Sequence, residues 1–92
     1  MITMCADDAI IQLLHELSDA KTWPERFRLT LDSGIDVTGE IKEADKRIEA
    51  LEKRAKETIR KLGCVSPQTR TISQSMADML ITWYTFKDNL RA

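Results

Sequence analysis

EIKEADKRIEALEKRAKETIRKL, residues 40–62, is the stretch whose reading decides the fold. Its apolar residues Ile41, Ala44, Ile48, Leu51, Ala55 and Leu62 follow a heptad, and seven residues make about two helical turns. The stretch therefore predicts a helix of roughly 35 Å with a coiled-coil-like seam. Gly63 follows the last seam residue, where a left-handed helix cap belongs, and Arg60 and Lys61 suit the negative end of the helix dipole. Three basic pairs recur on the same heptad: Lys46-Arg47, Lys53-Arg54 and Arg60-Lys61. They are expected to lie along one flank beside the seam, with Asp45 and Glu52 on the other.

After Gly63 the connection Cys64-Val65-Ser66-Pro67 is short. Ser66 is a suitable helix cap and Pro67 a suitable first helical residue. A last helix is predicted over 67–90, its main face formed by Ile72, Met76, Met79, Leu80, Trp83, Phe86 and Leu90. Ile81 and Tyr84 point away from that face. Two long helices joined by a tight turn predict an antiparallel helical hairpin.

Toward the N-terminus, residues 6–20 predict a shorter helix, with Ile10, Leu13, Leu14 and Leu17 at helical spacing and Asp7 and Asp8 at its positive end. Met1–Met4 is long enough only for an added strand. Between the helices the period changes. Phe27, Leu29 and Leu31 alternate with Arg26, Arg28 and Thr30, and Ile35 and Val37 alternate with Asp36 and Thr38. Asp32-Ser33-Gly34 separates the two runs. This pattern predicts a β-hairpin over 26–38 with glycine in a left-handed bulge. A short helix from Pro24 to Leu31 competes with it, since Pro24 would suit a first helical position. The expected fold is mainly α with a minor β element, in one small domain over 1–92.

Composition narrows the function classes. The chain has 92 residues, 42% apolar but only 5% aromatic, with three Gly and two Pro, which fits a small helical core and argues against disorder. Charge is uneven: residues 1–45 hold ten acids and four bases (−6), and residues 46–92 hold five acids and ten bases (+5). The acidic half is expected either to pack on the basic half or to leave a cationic surface for an anionic partner. The N-terminal stretch has no basic region ahead of its apolar run and does not read as a signal peptide. No apolar run approaches ~20 residues. A cytoplasmic setting with both cysteines reduced is expected.

Few residue sets carry chemistry. Cys5, Cys64 and the lone His15 have no metal-ligand spacing, so neither a metal nor a cofactor is expected. Cys64, near Arg60 and Lys61, has no partner set for nucleophilic catalysis and reads as a small packed residue. Glycine-rich phosphate loops are absent, and His15-Glu16 is not HExxH. The expectation is a non-enzymatic interaction protein. Its anion- or partner-binding residues would be Lys46, Arg47, Lys53, Arg54, Arg60, Lys61 and Arg70, the last at the hairpin tip with Ser66, Gln68, Thr69 and Thr71. The partner would be a nucleoprotein, an acidic protein or a nucleic-acid backbone. No aromatic residue is interleaved for base stacking. The small size suits a stoichiometric regulator or inhibitor, such as a phage or mobile-element protein acting on a host system. The alternative is a homodimer built on the seam and on Ile81 and Tyr84, since Tyr is a frequent interface residue.

Overall fold

The computed structural model describes residues 5–63 and 66–91, with side chains over 8–63 and 66–90. Four helices follow one another: α1 (Cys5–Ala20), α2 (Trp23–Asp32), α3 (Thr38–Leu62) and α4 (Pro67–Arg91). Met1–Met4, too short to assign beyond an added strand, and Cys64, expected as a packed thiol, lie outside the described residues.

α3 and α4 form the predicted hairpin. Asp45 of α3 meets Trp83 and Lys87 of α4, positions nearly symmetric about the 63–66 turn, so the helices run antiparallel. The seam closes as its heptad requires. Ala44, Ile48, Leu51 and Ala55 are buried, and Ile41, Ile59 and Leu62 are packed at its edges. Opposite them α4 buries Ile72, Met79, Trp83 and Phe86, while Leu90, expected on this face, stays 45% exposed near the open end. α1 lays Ile10, Leu13, Leu17 and Ala20 across both long helices. The result is a rod of 51 × 24 × 16 Å.

The turn at the tip is built as the sequence predicts. The Ser66 hydroxyl accepts the Gln68 N–H at 3.2 Å, and the Gly63 N–H reaches the Ile59 carbonyl at 2.9 Å. The Thr69 hydroxyl donates to the Gly63 carbonyl at 2.6 Å, tying one helix end to the other start.

The predicted β-hairpin is not formed. Residues 23–32 are helical, and no strand occurs among the described residues. Phe27 and Leu31 satisfy both periods, being four apart on a helix and on one side of a strand. Leu29 discriminates, and it is 64% exposed. The helical stripe is instead Trp23, Phe27 and Leu31, all packed on the core cluster. Phe27 sits 6.1 Å from both the Trp83 and Phe86 ring centres. Gly34 is left-handed, φ +84°, as expected, but it ends a helix and does not turn a hairpin. Its N–H reaches the Leu31 carbonyl at 2.9 Å, and the Ile35 N–H reaches Thr30 at 3.3 Å, the paired bonds of a Schellman cap.

Pro24 separates α1 from α2. Lacking an N–H, it cannot bond back to Ala20 and extend α1. The chain tightens instead: the Thr22 N–H and hydroxyl both donate to the Asp19 carbonyl, at 2.9 and 2.7 Å. α2 then continues along α4 but diverges from α3. At the start of α3 the Asp36 carboxylate accepts the hydroxyl and N–H of Thr38, which holds its pKa below the usual carboxylate range.

Among the described residues, the polar group that joins the long helices within the core margin is Asp45. Its Oδ1 accepts the Trp83 indole N–H at 2.8 Å and the Lys87 ammonium at 2.9 Å. Those two bonds depress its pKa, the indole contributing more, against the opposing effect of partial burial. A depressed carboxylate stabilises the fold above the unfolded pKa of about 4, and that contribution disappears as pH falls through the lower folded value.

Two expectations follow from these contacts. Asp45→Ala leaves the buried Trp83 N–H without its acceptor and should cost about 1–3 kcal/mol in urea unfolding. Asp45→Asn should cost less and should remove the part of the acid-induced loss below about pH 4 that Asp45 causes. Gly34→Ala forces a Cβ into left-handed backbone, although nothing lies within 4 Å of it. It should destabilise by about 1 kcal/mol, with Gly34→Asn milder; equal unfolding midpoints for glycine and alanine would contradict the cap.

Candidate functional site

The six paired cations of α3 are all exposed, yet they do not form one stripe. Neighbours on a helix are about 100° apart. Lys46, Lys53 and Arg60 therefore make a column on the pole of α3 opposite the seam. Arg47, Arg54 and Lys61 make a second column on the flank that faces α1 and α2. Steps of seven residues space each column at roughly 10 Å.

The two columns have different surroundings. Arg54 is drawn to the acidic half: its Nη1 lies 2.9 Å from Glu16 Oε1 on α1. Both side chains are over a third exposed, so the pair contributes little to stability. On α3 itself, Arg60 approaches Glu57 at 3.9 Å and Lys56 pairs with Glu52 at 3.0 Å. Glu49 and Lys53, also four residues apart, are not within 4.0 Å of each other. Among the described residues, Lys46, Arg47, Lys53, Lys61 and Arg70 have no carboxylate within 4.0 Å. The acidic half thus masks the flank column at one cation and leaves the outer column to solvent.

Arg70 is exposed in the first turn of α4, at the same end of the hairpin as Arg60 and Lys61. Ser66 and Thr69 beside it are occupied in capping, so the tip's polar character is mostly structural. Ile81 is 65% exposed and Tyr84 43% exposed, one turn apart on the outer face of α4. The Lys87 ammonium sits 5.7 Å from the Tyr84 ring centre, a cation–π contact that steadies the ring. His15 is exposed on α1, and no cluster of metal-ligating side chains occurs among the described residues.

The structure adds a feature that sequence reasoning misses. Because α2 leans on α4, it leaves a groove of about 690 Å³ against α3, walled by Asp19, Arg26, Glu40, Glu43 and Arg47. Its floor is Trp23, Phe27 and Ala44. The Trp23 indole donates to Asp19 Oδ2 at 3.2 Å. A second hollow continues it past Arg47 to Glu16, Leu51 and Arg54. The spacing of Trp23, Phe27 and Leu31 is the signal that points to this element, once a helical period replaces the alternating one.

Comparison with protein-family models, with curated proteins and with solved structures finds no match to this chain. The functional reading therefore rests on its own geometry.

Proposed function

We propose that this protein is a small, non-enzymatic, cytoplasmic binding module that engages an anionic macromolecular surface along α3. The observation that carries the reading is the solvent-facing column Lys46, Lys53 and Arg60, with Arg47 and Lys61 beside it and, among the described residues, no carboxylate within 4.0 Å of those two. Rigid helical spacing holds the cations apart and presents them to a long anionic partner, whether a nucleic-acid backbone, a nucleoprotein or an acidic protein. Without base-stacking aromatics on this face, contact is with the backbone and carries little sequence preference. The small chain suits stoichiometric regulation or inhibition of a larger assembly, as phage and mobile-element proteins do.

The test is an anisotropy titration against labelled duplex DNA, single-stranded RNA and an acidic peptide, at low and physiological salt. For duplex DNA the logarithm of affinity should fall with that of salt by about 0.9 per phosphate engaged, giving a slope near −3 for the outer column alone. Reversing Lys46, Lys53 and Arg60 to Glu should abolish binding while the circular dichroism is unchanged. Undiminished binding by that variant would refute the assignment.

Ile81 and Tyr84 favour a second reading, a homodimer with a structural role. On that reading sedimentation resolves a concentration-dependent dimer that Ile81→Glu disperses; a monomer at every concentration rules it out.

A further inference from the structure

We propose that α2 is a hinged lid that closes over its groove onto α3. α2 is the least anchored helix: Pro24 is its one buried residue, and Leu29 faces water. Non-helical chain bounds it on both sides, the Lys21–Thr22 turn and the Ser33–Val37 segment with its left-handed Gly34. Such elements open and close at low cost compared with buried helices.

The groove walls carry opposite charge at matching places. Arg26 of α2 shares the cavity with Glu40 and Glu43 of α3, and Asp19 of α1 shares it with Arg47 of α3. None of these pairs is within 4.0 Å in the structure. Beside the groove, Glu16 of α1 and Arg54 of α3 are already joined at 2.9 Å. α1 is thus held to α3, while α2 stands apart from α3. Closing brings the Arg26 guanidinium to the Glu40 and Glu43 carboxylates. It also covers the remaining exposed edges of the partly buried Trp23 and Phe27 rings beside Ala44, removing apolar surface from water. The groove walls hold three acids and two bases, which leaves Arg26 as the cation of α2 placed to meet the Glu40 and Glu43 carboxylates, and self-closure is what this pattern fits.

Closure is a property of the fold by itself. Its consequence for partners, the covering of Arg47 where it lines the groove, rests on the anion-binding reading. Spin labels at Leu29→Cys and Lys42→Cys, with Cys5→Ser and Cys64→Ser, measure the α2–α3 distance without any partner, so failure here is distinct from failure to bind. The expected result is a short-distance population at low ionic strength that is lost in molar salt and in Arg26→Glu, and regained in Arg26→Glu with Glu43→Arg. In cysteine-native protein bearing fluorinated tryptophan, the Trp23 resonance should shift with salt and with Arg26→Glu while that of Trp83 stays fixed. A distance indifferent to salt or to Arg26→Glu, a double variant that fails to restore it, or a static Trp23 resonance overturns the proposal.

Discussion

The carboxylate of Asp45, shared between an indole and an ammonium, sets the relation on which the other contacts depend. The α3–α4 seam is otherwise apolar, and apolar contacts are non-directional. They tolerate sliding and rotation of one helix over the other. A hydrogen bond from the buried Trp83 ring fixes both, because its geometry is met at one register only. With Trp83 oriented, Phe86 packs 5.5 Å away and Phe27 completes the cluster, so α2 takes its place through the same indole.

The architecture then separates the molecule's faces. One side of α3 is committed to the hairpin. Its neighbouring flank looks across at Glu16 and Asp19 of α1 and Arg26 of α2, and its far pole looks at solvent. The same six cations therefore divide into a column facing α1, where Glu16 takes Arg54, and a column facing water, where Arg60 approaches Glu57 of its own helix. A rod with a radius of gyration of 15.2 Å, against about 12 Å for a compact chain of this length, presents that far pole along much of its extent.

The long helices were readable in the chain because the heptad, the Gly63 stop and the Ser66-Pro67 start all agree, and such consistency across levels specifies structure. The β-hairpin expected over 26–38 fails where two periods coincide, and the competing helix from Pro24 is the element that forms. Phe27 and Leu31 fit a strand face and a helix face equally, and glycine with positive φ serves a hairpin bulge and a Schellman cap alike. Only Leu29 distinguishes the periods, and its exposure is a tertiary outcome. The candidate cations were visible as residues, but their division into two columns depends on which neighbours reach them. Glu16 lies 38 positions from Arg54, a separation that no local pattern encodes. The groove was hidden for the same reason, since it exists only because α2 leans toward α4.

The connections across the hairpin are graded by the chain length they enclose. Thr69 to Gly63 spans six positions, whereas Trp83 to Asp45 spans 38 and Lys87 to Asp45 spans 42. Loop-closure entropy rises slowly with such lengths, so pairing propagates from the tip in small steps, each building on the last. Assembly is thus zipper-like, with mostly local contacts and the fast folding that low contact order brings. The bond that fixes the register sits at the far end of the zipper. The register of the two long helices is thus held at a distance from the turn that joins them.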